Sequence, residues 1–218
     1  PVLIDNGANT AVLAELLFGC GRDYKNIAYF NCGIGIRTGA ISTGNIVRTI
    51  NDAEDAFGHM IINVDGRCCS CGNYGCVEAY SSIPSVTRTF TSAVRKGRSS
   101  VISKSLEDVD YKDICTAAEE GDEVSREIII DAASILGTGL ANYINLLNPG
   151  LIILSGPLIK HSDLFFRTCK QVAEKKHYLT QENKVVFSKG GYFKDNTIAV
   201  GAAVAAVECM LNSKKARR

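Results

Sequence analysis

The sequence predicts an α/β domain in which a mixed sheet is covered by helices. Short apolar runs bounded by glycine, proline or asparagine alternate along the chain with longer segments whose apolar residues recur at helical spacing. Such alternation is typical of strands that are covered by the helices between them. The 218 residues are 46% hydrophobic, which is enough to bury a core, and no internal repeat or low-complexity linker divides them.

The N-terminal part predicts a strand, a helix and a β-hairpin. Residues 1–4 form an apolar run that indicates a short buried strand, and a polar turn at residues 5–9 leads into a helix over residues 10–18. Residues 25–36 are rich in β-branched and aromatic side chains, and residues 40–42 predict the returning strand of a hairpin.

The C-terminal part predicts a buried central helix with further strands and helices around it. Residues 122–147 are apolar on nearly all sides, and Asn148-Pro149-Gly150 ends this segment sharply. Pro84 predicts a break within a helix over residues 77–96. The remaining predicted elements are helices over residues 105–121, 158–174 and 197–211 and strands over residues 151–154 and 184–188.

One loop concentrates residues that bind metals. The segment HMIINVDGRCCSCGNYGCVE, residues 59–78, holds four of the chain's nine cysteines and one histidine. Zinc prefers a tetrahedron of thiolate and imidazole ligands, and glycines allow the backbone to turn tightly enough to bring them together. We therefore predict a closed, structural zinc site whose four ligands are His59, Cys69, Cys71 and Cys76. Cys68 would be a spare or competing ligand.

Disulfide bonds and unconnected core cysteines are the two alternatives to a zinc site. Disulfides need an oxidising compartment, whereas the chain has an odd number of cysteines and shows no secretory leader. Free cysteines of a reduced core are common singly, but four in one polar, glycine-rich loop are not a core pattern. The zinc site is the preferred interpretation.

Charge and hydropathy argue against two classes of protein. The formal net charge of +1 lacks the basic excess typical of a nucleic-acid-binding domain. No apolar run reaches the length of about 20 residues that a transmembrane helix needs. We expect a soluble, cytoplasmic, reduced protein that does not contact a membrane.

Two further stretches are compatible with ligand contacts but do not require them. The turn at residues 5–9 exposes backbone N–H groups at the start of a helix, and a plain capped helix explains it as well. The glycines of the hairpin, at positions 33, 35 and 39, would let backbone amides approach a phosphate. A hairpin that needs positive φ angles explains those glycines equally well.

Several motifs together resemble the ROK family, a group of bacterial repressors, open reading frames and sugar kinases. The segment GHMIINVDGRCCSCGNYGCVEAYSS resembles the family's zinc-binding signature. Four further segments resemble parts of the family and occur in the same order as they do there: PVLIDNGANTAVLAELLFG, NCGIGIRTGAISTG, NLLNPGLIILSGPL and AVGAAVAA. The resemblance implies an actin-like, ribonuclease-H-like fold, with residues 1–218 as its C-terminal, ligand-binding and oligomerising lobe. It also implies that the N-terminal lobe and any DNA-binding domain lie outside these residues.

Three departures from the kinases of that family indicate reduced catalysis. The kinases place an aspartate, the general base for the sugar hydroxyl, where this chain has Gly7. Their phosphate hairpin reads Gly-Thr-Gly-Ile-Gly-Gly-Gly, whereas this chain has Ile34 in place of the hydroxyl and Arg37 in place of a glycine. A sugar-binding glutamate of the kinases is replaced by Ala56.

The resemblance also implies which contacts are retained. Asn6, His59 and Glu78 match sugar-binding positions, and the zinc would brace His59 through one ring nitrogen. The weaker candidates for nucleotide contact are Gly33, Gly35 and Gly156, with ATP and Mg²⁺ expected only if kinase activity survives.

These features favour the effector-binding half of a ROK-type transcriptional regulator without kinase activity. We expect a sugar or sugar phosphate as ligand, a homo-oligomer (dimer or tetramer), and DNA contact only through an N-terminal domain outside this chain. The alternative is an ATP-dependent sugar kinase of the glucokinase or N-acetylhexosamine kinase kind. A zinc-dependent interaction domain without a small ligand is the third hypothesis.

Overall fold

Five strands form one mixed sheet within residues 2–47, 56–178 and 184–215, the part of the chain that the computed structural model describes. The strands are β1 (Ile27–Cys32), β2 (Ile36–Ser42), β3 (Asn45–Ile46), β4 (Leu151–Ser155) and β5 (Val186–Lys189). Their order across the sheet is β3-β2-β1-β4-β5, with β1, β4 and β5 parallel and β2 and β3 antiparallel to their neighbours. The predicted hairpin and mixed sheet are therefore confirmed.

Helices cover both faces of this sheet, as the alternating sequence pattern predicts. They are α1 (Gly7–Phe18), α2 (Glu78–Ser81), α3 (Ile83–Arg95), α4 (Tyr111–Glu120), α5 (Glu123–Leu147), α6 (Pro157–His161), α7 (Asp163–Lys176) and α8 (Thr197–Lys215). Short 3-10 turns occupy Phe57–His59 and Lys194–Asn196. No helix in the described ranges is both long and apolar enough to cross a membrane.

The two faces of the sheet bury different layers because strand side chains alternate in direction. Ile27 and Tyr29 of β1 pack with α1, while Phe30 of the same strand belongs to the larger core around α5. In β4, Leu151 packs in the layer with α1, and Ile152 packs in the core around α5. The metal loop of residues 59–78 lies on the α5 side, where Val77 enters that core.

The central helix α5 confirms the helix predicted over residues 122–147. Its first turn is capped by Asp122, whose side chain accepts a hydrogen bond from the N–H of Ser125, and it ends at Asn148, whose φ is 43°. A Cβ atom at Gly137 would lie 2.8 Å from the carbonyl oxygen of Cys169, so this glycine permits the close approach of α5 and α7.

The predicted buried strand at residues 1–4 is wrong where it is described. Pro1 lies outside the described residues, and residues 2–4 have no regular secondary structure. Val2 and Ile4 are each 91% exposed. None of the described strands pairs with this segment, so its backbone groups gain no ladder hydrogen bonds that would make it a strand.

Several helix boundaries differ from the prediction, and α1 begins at Gly7, within the predicted turn at residues 5–9. The break in residues 77–96 falls at Ser82, which places Pro84 in the first turn of α3, where its missing N–H costs nothing. Ser162 ends α6 and caps α7 by accepting a hydrogen bond from the N–H of Phe165. Asp110 starts α4 later than predicted through a capping box with Asp113.

Candidate functional site

The predicted metal ligands converge in the structure. One ring nitrogen of His59 and the Sγ atoms of Cys69, Cys71 and Cys76 all lie within 4.8 Å of one another. Cys69 Sγ is 3.6 Å from His59 Nδ1, and the Sγ atoms of Cys71 and Cys76 are 3.7 Å apart. In a zinc tetrahedron with bonds of about 2.0–2.3 Å, ligand atoms lie about 3.5–3.8 Å apart. These two separations fit a zinc ion, and the widest pairs need to close by about 1 Å.

The cysteines are thiols rather than disulfides. All nine are free, and the 3.7 Å between the sulfurs of Cys71 and Cys76 is far longer than a covalent S–S bond of about 2.05 Å. Their chemistry therefore suits a divalent metal, which would be held by three thiolates and one imidazole and would serve to fix the loop.

Tight backbone turns bring these ligands together. Gly72 and Gly75 have φ angles of 90° and 73°, which side-chain-bearing residues rarely adopt. The N–H of Cys69 donates to the carbonyl oxygen of Asn73 over 2.8 Å, which closes the loop between the C-x-C pair and Cys76. A Cβ at Gly75 would lie 1.6 Å from the carbonyl oxygen of Asn63, so this position accepts glycine alone.

Cys68 is not part of the cluster. Its side chain is exposed, and its Sγ lies 3.7 Å from the carbonyl oxygen of Cys69. The structure therefore separates it from the four residues with converging ligand atoms, which the C-C-S-C spacing alone could not do.

The thiols of the cluster differ in how readily they ionise. Hydrogen bonds from the backbone at Asn73 and from neighbouring thiols lower the pKa of Cys71. Burial, followed by the adjacent Cys71 and Cys69 thiols, raises the pKa of Cys76 to about 12. A divalent cation would lower the pKa of these thiols by stabilising their thiolates directly.

Glu78 joins the metal loop to the hairpin. One carboxylate oxygen accepts a hydrogen bond from the N–H of Ile36 over 3.0 Å and from Nη1 of Arg37 over 3.1 Å. The other accepts from the hydroxyl of Ser70 over 3.3 Å. Glu78 is only 7% exposed, so this predicted sugar contact also holds the three segments together.

A cleft of about 740 Å³ opens beside Glu78. The tip of the hairpin, the metal loop and the start of α3 line it, through residues that include Ile34, Arg37, Ser70 and Arg88. A Cβ at Gly35 would lie 2.9 Å from the guanidinium carbon of Arg37, so this side chain folds back over the hairpin glycine. The hairpin thus presents a cation in this cleft, where bare backbone would otherwise face a ligand.

His59 and Glu78 lie on neighbouring segments, whereas Asn6 stands apart from them. A Cβ at Gly58, next to His59, would be 3.4 Å from the Glu78 carboxylate. Nδ1 is the nitrogen of His59 that faces the cluster, which leaves Nε2 outside it. Asn6 caps α1 by accepting a hydrogen bond from the N–H of Ala8 over 2.8 Å, and it does not line the Glu78 cleft.

The position of Gly7 is apolar. A Cβ there would meet the side chain of Ile198 at 3.4 Å. The neighbouring carboxylate, Asp5, accepts hydrogen bonds from the N–H of Asn6 over 2.8 Å and from the side chain of Asn9 over 3.0 Å. These bonds hold Asp5 within the capping turn of α1.

Two of the three weaker glycine candidates, Gly33 and Gly156, lie at the carboxyl ends of β1 and β4, whereas Gly35 faces the Glu78 carboxylate. A Cβ at Gly33 would be 3.3 Å from Pro157, and Gly156 has a φ of 95° with no room for a Cβ beside Asn31. A cavity of about 270 Å³ adjoins Gly156 and is also lined by Lys160. Ligands of α/β proteins commonly bind at this edge of a sheet.

Sequence reasoning missed two contributors to the site. Ser70 donates a hydrogen bond to the Glu78 carboxylate, and its place between two predicted ligands, Cys69 and Cys71, is the signal that would have identified it. Arg88 lines the cleft from α3, but a lone arginine in a helical pattern carries no such signal.

Comparison with known proteins places this chain in a family that contains both regulators and kinases. The ROK family pattern matches residues 1–208. The xylose repressor of Caldicellulosiruptor bescii is 30% identical over 216 residues, which cover 97% of this chain and 53% of that protein. The glucokinase of Halalkalibacterium halodurans is 31% identical over 175 residues, which cover 78% of this chain and 53% of that protein.

Solved structures show the same architecture. A crystal structure of a ROK family transcriptional regulator, a homolog of the E. coli Mlc protein, superimposes with a TM-score of 0.80 at 28% identity and covers 93% of this chain and 51% of that one. The described residues therefore have an actin-like ATPase type of fold. The chain spans about half the length of the curated relatives that it matches.

Proposed function

This chain belongs to the ROK family, and we propose that it forms the effector-binding half of a sugar-responsive transcriptional regulator without kinase activity. The observation that carries this proposal is Gly7, which leaves no carboxylate at the position of the kinases' general base. General-base catalysis contributes about 10²–10⁴-fold in typical enzymes. The similarity to a xylose repressor and to a solved regulator is consistent with the proposal.

The surroundings of Gly7 support the loss of that base. Ile198 lies against it, and Asp5 is engaged by two hydrogen bonds within its own turn. These bonds hold the Asp5 carboxylate within the capping turn of α1, which makes it a poor substitute for the missing aspartate.

The hairpin supports the same conclusion. Phosphoryl transfer depends on backbone and cations placed closely around the phosphates. Here Arg37 is held by Glu78 and folds over Gly35, while Ile34 is 80% exposed at the tip. The bulky Ile34 at the hairpin tip and the pairing of Arg37 with the Glu78 carboxylate suit ligand sensing better than phosphoryl transfer.

Sugar binding would use the residues around the metal loop. The Glu78 carboxylate and the outer nitrogen of His59 offer an acceptor and a donor to hydroxyls, and the metal would fix both through the loop. Arg37 would have to share its partner with the sugar, so binding and a small rearrangement of the hairpin would be coupled.

The proposed assembly extends beyond this chain. We propose that DNA is bound by part of the full-length protein outside these 218 residues, since the relatives are about twice as long. We also propose that the protein works as a homo-oligomer, a dimer or a tetramer, in which sugar binding shifts the balance between two arrangements.

An ATP-dependent sugar kinase is the second candidate. The 31% identity to a glucokinase favours it, as does the cavity beside Gly156 at the carboxyl end of β4. In that case ATP and Mg²⁺ would bind near Gly33 and Gly156, and another group would have to accept the hydroxyl proton.

Titration calorimetry with D-xylose and with glucose tests the proposal on the full-length protein. We expect one sugar to bind to the wild type and to bind more weakly to Glu78→Gln, with unchanged affinity in Arg95→Gln, an exposed residue of α3 remote from the cleft lining. An affinity that Glu78→Gln leaves unchanged would place the sugar elsewhere.

A further inference from the structure

A second, strongly basic groove lies beside the metal loop, on the far side of Arg88 from the Glu78 cleft. Its volume is about 580 Å³. Four cationic side chains line it, contributed by the metal loop, by α3 and by the segment after α3: Arg67, Arg88, Lys96 and Arg98. Because the whole chain carries a net charge of only +1, this concentration of positive charge is local.

The guanidinium of Arg67 is held in place. It stacks over the ring of Tyr80 at 4.8 Å from the centroid and donates a hydrogen bond to the hydroxyl of Thr89 over 3.0 Å. The backbone N–H of Arg67 also donates to the hydroxyl of Tyr80 over 2.8 Å. A cation fixed in this way loses little further entropy when a ligand binds.

The positive charge of the groove is only partly neutralised. Arg98 pairs with Glu127 over 2.5 Å, and Asp131 lines a neighbouring cavity together with Arg67. Within the described ranges, Arg88 and Lys96 have no carboxylate at ion-pair distance.

The helix itself does not explain this arrangement. The C-terminal end of α3 attracts a cation, which accounts for Lys96. Arg88 lies two turns earlier, however, and Arg67 comes from a different segment. Arg88, Ser92 and Lys96 recur at every fourth position and therefore share one face of α3, so two cations and a hydroxyl point to the same side.

We propose that this groove is a binding site for a small phosphate-bearing ligand. Guanidinium groups match the oxygens of a phosphate in charge and geometry, and the ordered Arg67 together with Arg88 and Lys96 is suited to a dianion. The groove adjoins the sugar cleft, because Arg88 and Cys68 line both cavities, and its assignment does not depend on the regulator proposal. A sugar phosphate would place its phosphate in the groove and its sugar in the cleft.

Calorimetric titration of the full-length protein with inorganic phosphate and, separately, with glucose 6-phosphate tests the proposal at constant chloride concentration. The double variant Arg88→Gln/Lys96→Gln should weaken binding of both probes at least tenfold, because each charged contact contributes strongly. Arg95→Gln, the matched control on the same helix, should leave both affinities unchanged because Arg95 does not line the groove.

The two probes separate the sources of the phosphate. Equal affinities would identify a site for the phosphate group alone, and tighter binding of glucose 6-phosphate that Glu78→Gln reduces would identify a ligand that spans both cavities. Arg88, Arg95 and Lys96 are all exposed, so melting temperatures of these variants should stay near that of the wild type. The proposal would be overturned if neither probe bound at about 10 mM, roughly the weakest useful affinity. It would also be overturned if Arg95→Gln and the double variant lost the same affinity.

Discussion

Replacing Glu78 by glutamine should destabilise the protein by about 2 kcal/mol through the loss of one buried charge. The carboxylate accepts hydrogen bonds from the N–H of Ile36, from Arg37 and from Ser70, and it is 7% exposed. Glutamine keeps the shape and one acceptor oxygen, but its neutral bonds contribute about 0.5–1.5 kcal/mol each where charge-assisted bonds contribute about 1.5–3.

The size of the loss follows from how exposed each partner is. The bond from Ile36 is buried, so about 1–1.5 kcal/mol is lost there. Arg37 is 45% exposed, and solvent screening limits the weakening of its ion pair to about 0.5–1 kcal/mol. For a chain of this size, a total near 2 kcal/mol corresponds to a fall in Tm of roughly 4–8 °C.

Urea denaturation followed by far-UV circular dichroism measures this loss, with Arg37→Ala as the matched variant. That variant removes only the exposed partner and should cost less than about 1 kcal/mol. If Arg37→Ala destabilised the protein as much as Glu78→Gln, or if Glu78→Gln had the stability of the wild type, Glu78 would not be the link between hairpin and metal loop.

The metal loop and the central helix can each be tested by substitution. The purified protein should contain one zinc per chain by elemental analysis; Cys71→Ser should lose it, and Cys68→Ser should retain it, since Cys68 lies outside the cluster. Gly75→Ala should prevent the loop from closing, because a Cβ would lie 1.6 Å from a carbonyl oxygen. Gly72 has open space around it but a φ of 90°, so Gly72→Ala should cost about 1–2 kcal/mol and leave the loop closed. Metal content and Tm distinguish the two variants. Burial would raise the pKa of Asp122, but the hydrogen bonds that it accepts hold this pKa below its usual value. Its contribution is therefore present above about pH 4 and lost as the pH falls further, so the stability difference between the wild type and Asp122→Asn should shrink from pH 7 to pH 3.

The sequence predicted the elements whose signals are local. The apolar run at residues 151–154 and the periodic segment at residues 122–147 became β4 and α5, because each pattern matches one element and is bounded by strong breakers. The convergence of the four candidate metal ligands was also predictable, since three of them lie within eight positions and the geometry of a zinc ion would limit the choices.

The contacts that shape the cleft were not predictable in the same way. Arg37 and Glu78 are 41 positions apart, and their pairing depends on where α2 meets the start of β2. The apolar run at residues 2–4 failed as a strand because a strand depends on a neighbouring partner, which sequence periodicity does not report. The break at Ser162 was hidden because the apolar pattern continues across it.

The central claim, that a family scaffold here binds a sugar without phosphorylating it, is tested most directly by a kinase assay on the full-length protein. ATP-dependent phosphorylation of a sugar that binds by calorimetry should be measured with the wild type and with Gly7→Asp. We predict sugar binding with turnover at least about 100-fold below the 1–100 s⁻¹ typical of kinases. A wild-type turnover of about 1–100 s⁻¹ would contradict this claim and identify the protein as a sugar kinase.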